Sequence, residues 1–433
     1  MPEYRVSIDQ LRVGVFIKLE LKWFAHPFLS NSFKITETAM IETLRDLGVT
    51  KVICVPEKSD VQPLFPNQEL DYAASEVKPE TPTKETLKLW EEKKQRVALL
   101  KKRRQIVTQC QQQFQSGVDR VKNVMKNIDS GSAESMTEAD ALLGELIDSL
   151  LAEKEAAVQL VNTEMDTQNT YYHSLNVSVL SMMLGKEYGL DSKDLRLLGL
   201  GALFHDIGKN RIPKTILAKT EPLTPAEVQF IQLHPQYGTE IIAKMENFPK
   251  ESVDILLHHH ERNDGLGYPD KLTGNQITIF SRITAIANTY DNYCNKQDPK
   301  VSLTPYEALS RMFALEKDFF DKDLLALFIQ CLGVYAPGTI VRLSNGQIGL
   351  VVSVTRNNPL KPSIVIYDPE VPKDEALIYD LRLDPSLSIE RSIRPSNLDK
   401  EVFDYLNPRT RITYYLAESE SPGTTGSLIE ERT

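Results

Sequence analysis

The spacing of apolar residues indicates a small mixed domain at the start of the chain. Apolar and polar residues alternate between Arg5 and Ile17, which is typical of half-buried strands. A segment at 36–47 has helical spacing and is closed by Gly48, and the apolar run from Val52 to Val55 predicts a further strand. We therefore expect residues 1–70 to form a small α+β domain.

The next segment, 71–134, is expected to contain a linker followed by long helices. Prolines collect between 63 and 83 and mark the linker. From Glu85 to about Ile128 the chain is charged and proline-free, and apolar residues recur mostly at three- to four-residue steps. This period predicts one or two long amphipathic helices, which could support a homodimer through residues 85–128.

The remaining pattern changes from helical to β. Helical spacing from about Ser135 predicts a bundle over 135–332. Alternation around Asn345-Gly346 predicts a hairpin, and SIVIYD predicts another strand, so we expect a β-rich module at 333–417. A polar tail at 418–433 is expected to be disordered. The predicted fold class is multi-domain and mainly α, with a helical bundle flanked by a small α+β N-terminal domain and a small β-rich C-terminal module.

Two helix boundaries in the bundle are well marked. One helix is expected to start near Asp191 or Ser192 and to reach HDIGK, with Gly208 near its end. A second opens with Thr224, Pro225 and Glu227, a capping box with proline at the first helical position. We expect that second helix to carry His234.

Composition restricts the classes of function. A length of 433 residues with 41% apolar residues suits two to four domains. The formal net charge of -10 disfavours binding to a nucleic-acid polymer, because phosphate affinity comes mainly from Lys and Arg. The four cysteines form no C-x-x-C pair, which indicates neither a disulfide framework nor a thiolate zinc site. The N-terminus has no signal pattern and no apolar run approaches roughly 20 residues, so we expect a cytoplasmic protein without membrane insertion.

The histidines are concentrated in the helical region. Six of the seven lie between positions 173 and 260, namely His173, His205, His234, His258, His259 and His260. Helices that direct imidazoles and a carboxylate toward one point form dinuclear metal sites in bundles, and Asp206 directly follows His205. Such ligands suit Fe, Mn, Ni, Zn or Cu, and the two oxygens of Asp206 can bridge two ions. One histidine alone is more often a hydrogen-bonded core residue, so the prediction depends on the clustering.

The stretch HHHERNDGLGYP at 258–269 combines three histidines with turn residues. Helix neighbours point about 100° apart, so at most two of the three histidines can face one ion and the third is expected to be structural. The pairs DG, LG and YP predict a defined loop, whereas the alternative is a surface tract that binds metal adventitiously. Lys209 follows His205 by four residues and shares its helical face if the helix persists, where its ammonium can hold a phosphate.

HDIGK followed by HHERNDGLGYP resembles the HD-GYP family, a branch of the HD-domain metal-dependent phosphohydrolases, over roughly Leu160 to Asn295. The resemblance implies an HD-type helical domain that binds two or three metal ions and hydrolyses cyclic di-GMP to pGpG or GMP. The first seventy residues are similar to a small accessory domain found ahead of this enzyme. Implied partners are cyclic di-GMP and diguanylate cyclase (GGDEF) proteins.

Position by position, the resemblance implies a set of site residues. The implied metal ligands are His173, His205, Asp206, His234, His259 and His260. Asp206 and Lys209 are the implied catalytic residues, and Lys209 also contacts phosphate. Gly267, Tyr268 and Pro269 correspond to the GYP loop that shapes the substrate site, and His258 is left as the structural histidine.

The chain also departs from the family pattern. Where the family usually has ADVFDAL, this chain reads ANTYDNY, which puts the weaker ligand Asn288 at a metal position and keeps only the second acid, Asp291. The family's RPY stretch is replaced by CNKQDPK, where Lys296 or Lys300 can substitute as a substrate contact. Family members that bind a third metal carry a glutamate four residues before the first histidine, and this chain has Asn169 at that position. We therefore expect two divalent ions (Fe, Mn, Ni or Zn).

These residues lead to one main hypothesis and two alternatives. In the main one, a hydroxide held between two ions attacks the phosphorus of cyclic di-GMP while Lys209 stabilises the phosphoryl oxygens. The first alternative is a catalytically weakened sensor of cyclic di-GMP or protein-interaction module, favoured by Asn288 and the missing RPY. The second is an HD hydrolase of another nucleotide, such as an alarmone or a dNTP.

Overall fold

The computed structural model of the chain forms two units. It describes residues 3–22, 25–28, 30–64, 83–127, 133–151, 157–161, 169–219, 221–245, 248–296, 301–354, 358–369, 371–373, 376, 378–384, 386–406 and 413–417. One unit comprises Met1–Arg104 with Ile366–Ile378, and the other comprises Gln105–Val365 with Tyr379–Thr433. Most of the predicted linker, Lys300 and the predicted disordered tail lie outside the described residues.

Within the first unit, residues 4–54 form a four-stranded antiparallel sheet and one α-helix, and the apolar pattern predicted this helix and the strand that follows it. Its sheet has the order β1-β4-β2-β3. Its elements are β1 (Tyr4–Ser7), β2 (Phe16–Lys18), β3 (Ser32–Lys34), α1 (Thr38–Asp46) and β4 (Lys51–Cys54). Val6, Val15 and Ile17 are buried with Leu44 of α1 in one core, which closes one face of the sheet.

The charged, proline-free segment forms one long helix, α2 (Lys84–Asn127), of 44 residues. Near its C-terminal end, Phe114, Val118, Val121 and Met125 are buried in a core of the second unit. This part of the apolar face predicted to support a homodimer is therefore already covered within the chain.

Helices dominate the second unit. They are α3 (Ala133–Leu151), α4 (Asn169–Tyr188), α5 (Ser192–Phe204), α6 (Lys214–Leu217), α7 (Pro225–Ile231), α8 (His234–Ile242), α9 (Lys250–His258), α10 (Ile279–Cys294), α11 (Pro305–Ala314) and α12 (Lys322–Leu332). Residues 174–185 of α4 are all buried, so this helix is enclosed by its neighbours on every side. One core joins α4 and α5 to α2 and α3, and a second joins them to α10, α11 and α12. No helix in the described ranges is long and apolar enough to cross a membrane.

The structure adds a two-stranded ribbon to the region predicted to be helical. Strand β5 (Ala157–Val161) pairs antiparallel with β11 (Thr413–Ala417), in the register Ala157↔Ala417 to Val161↔Thr413. A short apolar run such as AVQLV does not distinguish a strand from a helix by periodicity alone. Its pairing partner comes from the far end of the chain, so no local pattern could indicate it.

The C-terminal module contains a five-stranded sheet with the order β10-β6-β7-β8-β9. Its elements are β6 (Ile340–Leu343), β7 (Ile348–Ser353), β8 (Ser363–Ile366), β9 (Ile378–Asp380) and β10 (Ile389–Ile393), followed by α13 (Lys400–Leu406). The predicted Asn345-Gly346 hairpin joins β6 to β7, and Gly346 adopts the positive φ of 84° that such a turn requires. The predicted multi-domain, mainly α fold class is confirmed.

Candidate metal centre

The clustered histidines come mainly from the ends of helices. His173 lies near the start of α4, His205 directly follows α5, and His234 is the first residue of α8. His259 is the residue after α9, and His260 follows in the turn. Helix ends therefore direct these imidazoles into one region of the second unit.

The prediction that the helix opened by Thr224 carries His234 is wrong. The capping box itself is present, since Thr224 Oγ1 accepts from the Glu227 amide at 3.3 Å. However, α7 ends at Ile231 and a separate helix begins at His234. Pro235, which lacks an amide proton and favours the first turn of a helix, was the sequence signal for this new start.

Gly208 allows the turn after Asp206 to lie directly against the start of α8. Residues 207–211 form a 3-10 turn, and a methyl group at Gly208 would overlap the backbone carbonyl oxygen of His234. Only glycine permits this approach without a backbone shift. As a result, Asp206 Oδ1 lies 3.3 Å from His234 Nε2.

Backbone carbonyls fix the proton position on three of the imidazoles. The Nδ1 atoms of His205, His234 and His259 lie 2.7, 2.8 and 3.0 Å from the carbonyl oxygens of Ala202, Ile231 and Leu256. Because a carbonyl only accepts, each Nδ1 donates and each Nε2 presents a lone pair. This is the outer hydrogen bond that orients metal-bound histidines in proteins.

Two of these lone pairs face each other. His234 Nε2 lies 3.3 Å from His259 Nε2, and neither nitrogen has a proton to donate in the tautomer fixed by its backbone partner. The contact is therefore not a hydrogen bond. A cation between the two nitrogens would satisfy both.

Asp206 lies between two groups of histidines. Its Oδ2 is 3.5 Å from His173 Nε2 and 3.4 Å from His205 Nε2. Its Oδ1 is 3.3 Å from His234 Nε2 and 3.9 Å from His259 Nε2. The two groups with metal-binding potential are His173, His205 and Asp206, and Asp206, His234, His259 and His260. Asp206 belongs to both, which is the arrangement expected of a bridging carboxylate.

One oxygen of Asp206 provides a direct test of whether the residues fit a metal. Oδ1 is buried and has no hydrogen-bond partner in the described part of the chain. A buried carboxylate oxygen without a donor is costly unless a cation or water compensates it. The donor set, imidazole nitrogens with one carboxylate and no thiolate, suits divalent transition metals.

Lys209 contacts this carboxylate although the predicted helix does not persist. It lies in the 3-10 turn after α5, and its Nζ donates to Asp206 Oδ2 at 2.6 Å. Burial by itself raises the pKa of Asp206, but the positive charge of Lys209 outweighs it and holds this pKa well below its usual range. Asp206 is therefore ionised at neutral pH.

Burial favours the neutral form of three of the imidazoles. It lowers the pKa of His205, and it lowers the pKa values of His259 and His260 well below the ordinary value, with neighbouring histidines adding to the effect. Metal binding requires the neutral form of the ring, so these residues do not need to lose a proton at pH 7.

His173 is held by Asp291, a residue to which the sequence analysis gave no role. Asp291 Oδ2 accepts from His173 Nδ1 at 2.6 Å. Its Oδ1 accepts from the side-chain amides of Asn176 and Asn295, each at 2.9 Å. Burial lowers the pKa of His173, but its hydrogen bonds to Asp206 and Asp291 outweigh burial and raise this pKa to about 9. The signal for this residue in the sequence was that Asp291 is itself an acid, three positions after Asn288 on the same helix.

The loop at 261–273 lies beside His260. The Tyr268 ring stacks on His260 with centroids 4.7 Å apart and planes 19° apart, and a cis peptide joins it to Pro269. Gly267 approaches the ligand segment so closely that a Cβ there would lie 2.7 Å from the His260 carbonyl oxygen. His258 lies outside the two metal-binding groups, and its ring nitrogens contact Asp254 and Asp270 at 2.7 and 3.0 Å.

Asn288 and Lys296, two of the remaining predicted site residues, form hydrogen bonds with partners other than the histidines and Asp206. Asn288 is buried on α10, and its Oδ1 accepts from the Asn292 amide at 2.6 Å. Lys296 is exposed, and its backbone amide donates to Ser302 Oγ at 3.0 Å. Lys300 lies outside the described residues.

Three family models match successive parts of the chain. A domain of unknown function (DUF3391) matches residues 3–139, an HD domain matches 146–324, and a KOW domain associated with HD domain matches 340–401. The HD match contains both metal-binding groups and the GYP loop.

Three curated proteins are similar to this chain in sequence. A cyclic di-GMP phosphodiesterase of Pseudomonas aeruginosa is 30% identical over 369 residues, covering 84% of this chain and 84% of that protein. The cyclic di-GMP phosphodiesterase response regulator RpfG of Xanthomonas campestris is 34% identical over 146 residues, 34% of this chain and 39% of that protein. A 3′3′-cGAMP-specific phosphodiesterase of Vibrio cholerae is 30% identical over 187 residues, 43% of this chain and 36% of that protein. With the histidine cluster, the HD match and a relative of this coverage, the chain belongs to the HD-GYP family of HD-domain phosphodiesterases.

Proposed function

We propose that this protein is a metal-dependent phosphodiesterase that hydrolyses cyclic di-GMP to pGpG and/or GMP. The observation that carries the proposal is Asp206, a buried carboxylate between two groups of histidines with one oxygen left without a hydrogen bond. The name and coverage of the Pseudomonas aeruginosa relative support cyclic di-GMP as the substrate.

The proposed cofactor is a pair of divalent ions, Fe, Mn, Ni or Zn. His173 and His205 would hold one ion, His234, His259 and His260 the other, and Asp206 would bridge them. When bound, such ions polarise phosphoryl oxygens and provide a nucleophile from water at neutral pH. Asn288 is the further proposed ligand, on the resemblance alone.

Lys209 is the proposed substrate contact and catalytic residue from the chain itself. One of its protons is donated to Asp206, while its side chain is still 30% exposed, so the ammonium can also bind a phosphoryl oxygen. Because charge develops on those oxygens in the transition state, a fixed ammonium there lowers the barrier. The GYP loop of Gly267, Tyr268 and Pro269 would border the bound nucleotide, and Lys296 and Lys300 remain further proposed contacts.

The proposal also includes the macromolecular partners, the oligomeric state and the location of the protein. Diguanylate cyclase (GGDEF) proteins are the proposed macromolecular partners, and the homodimer through residues 85–128 would use surface other than the buried Phe114 to Met125 face. The cytoplasm is the proposed location.

The proposal is tested by turnover of cyclic di-GMP with protein loaded with Mn or Fe. Asp206→Ala should lower turnover by at least about 10³-fold and reduce bound metal, because it removes the bridging carboxylate. Asp318→Ala is the matched control, since Asp318 is exposed and pairs only with exposed Lys322 among the described residues. Full activity of Asp206→Ala would rule the assignment out.

Asn288 favours a second candidate, a catalytically weakened sensor of cyclic di-GMP. A neutral amide attracts a divalent ion less than a carboxylate does. If the weaker ligand limits the site, Asn288→Asp should raise metal retention and cyclic di-GMP turnover together, since the Asp oxygen can still accept from Asn292. Tight nucleotide binding without product in wild type, across several metals, would favour the sensor. A substrate panel with 3′3′-cGAMP and an alarmone separates other nucleotides from cyclic di-GMP.

A further inference from the structure

Glu261, the residue directly after the proposed ligand His260, is buried but is not a member of either metal-binding group. Its Oε1 accepts from the backbone amide of Asp270 at 2.7 Å, and its Oε2 accepts from the amide of Leu272 at 3.0 Å. Both oxygens of the carboxylate are thus used to hold one short segment. Two backbone hydrogen bonds to one buried side chain restrict the segment more than a single bond would, which makes this a firm attachment.

The segment held by Glu261, residues 270–272, belongs to the loop that contains Tyr268 and follows Tyr268 in the chain. The Tyr268 amide donates to the His260 carbonyl oxygen at 3.3 Å, and the aromatic ring stacks on the His260 imidazole. Gly267 lies against the backbone of Glu261, where an added Cβ would be 2.5 Å from the Cα atom. The ligand segment and the loop therefore form one closed unit.

His258 provides a second attachment on the other side of the two ligands. Its Nδ1 contacts Asp254 on its own helix, and its Nε2 contacts the side chain of Asp270 in the loop. Asp254 also accepts from Thr278 at the start of α10, at 2.5 Å. The loop is thus tied to α9 through the residues on both sides of the His259-His260 pair.

We propose that Glu261, assisted by His258, is a positioning residue that holds Tyr268 over His260 and so fixes the wall of the site that contacts a bulky nucleotide substrate. The proposal rests on the proposed phosphodiesterase function. It predicts that loosening this attachment weakens binding of a cyclic dinucleotide while the metal centre stays intact, because Glu261 bonds the loop through both oxygens.

The test compares wild type with Glu261→Gln on two substrates. Glutamine keeps one acceptor and turns an amide toward the other backbone N–H, so one loop hydrogen bond is lost. We expect KM for cyclic di-GMP to rise roughly tenfold and kcat to fall less than about threefold. Hydrolysis of bis(p-nitrophenyl) phosphate, a small diester without the nucleobases that the loop would contact, and the metal content should not change.

Hydrogen exchange supplies a readout that does not depend on the substrate. In Glu261→Gln the amides of Asp270 and Leu272 should exchange faster than in wild type, whereas those of α9 should not. The Asp270 side chain is exposed, and Asp270→Asn weakens only the attachment through His258. This variant should change KM in the same direction by a smaller factor. Glu251→Gln, an exposed glutamate on α9, is the matched control and should behave as wild type.

Equal losses on both substrates, loss of metal, or unchanged exchange at Asp270 and Leu272 would overturn the proposal. Failure of the wild type to cleave cyclic di-GMP while it cleaves the small diester would instead reject the proposed substrate. In that case the exchange experiment still decides whether Glu261 holds the loop.

Discussion

At the scale of single residues, the hydrogen bonds on the outer side of the imidazoles give the metal centre its geometry. Three Nδ1 atoms are held by backbone carbonyls, but His173 Nδ1 is held by the carboxylate of Asp291. A carboxylate partner orients the ring and also increases the basicity of Nε2. Asp291 should therefore affect metal binding without being a ligand, since its oxygens are already used by His173 and two asparagines.

Asp291→Asn tests this role. The amide cannot reproduce the charge that orients His173, so we expect the affinity for metal to fall by about 10- to 100-fold with the fold retained. Competition with a chelator, followed by metal analysis, measures the change. Asp323→Asn at the start of α12 serves as the control, and equal affinities in all three proteins would contradict the assignment.

At the scale of elements, the short helix α7 is stabilised by local polar contacts because it has no fully buried residue of its own. The Glu227 carboxylate accepts from Lys219 Nζ at 2.8 Å and from the Thr224 amide at 2.7 Å. These bonds, first that of Lys219 and then those of Thr224, lower the pKa of Glu227 to about 2. Since this pKa lies below its ordinary value of 4.5, the contribution is complete above pH 4.5 and is lost as the pH falls toward about 2.

Thr224→Ala removes the cap of α7. Local opening of residues 228–231 should become about fivefold more frequent at pH 7, as expected when an N-cap is deleted. Hydrogen exchange of those amides measures it. The difference between variant and wild type should shrink as the pH falls toward 2, because Glu227 becomes protonated and the wild-type contacts weaken. Thr215→Ala, at an exposed position on α6, should leave the same amides unchanged.

At the scale of the whole molecule, the last described strand supports the helical unit. Strand β11 pairs with β5 along five residues, and β5 precedes α4, the helix that carries His173. Removal of β11 would leave backbone amides and carbonyls of β5 without partners and expose a strand edge.

Truncation after Leu406 should therefore lower the midpoint of thermal unfolding by several degrees and increase aggregation. Truncation after Ala417 keeps β11 and should behave as wild type. Unfolding followed by circular dichroism, with light scattering for aggregation, compares the three proteins. An unchanged midpoint in the shorter truncation would show that the ribbon contributes nothing to stability.

The sequence by itself determined the features that depend on short-range physics. Helical periodicity predicted the long α2, the Asn-Gly pair predicted the β6-β7 hairpin, and the acid at Asp191 predicted the start of α5. It also determined the chemistry of the donor set. The 100° step between helix neighbours limited the ligands among the three adjacent histidines to two, and the resemblance to the HD-GYP family implied that His258 is the third, which lies outside both metal-binding groups.

Only the tertiary structure decided which distant groups meet. It paired β5 with β11, assigned the two oxygens of Asp206 to different histidine groups, and placed Asp291 behind His173. Local patterns state how a segment buries its own apolar face, but not which of several similar helices covers it. That choice is made by close packing of the shared cores around α4 and α5, and the packing of these cores fixes where each helix end, and therefore each imidazole, points.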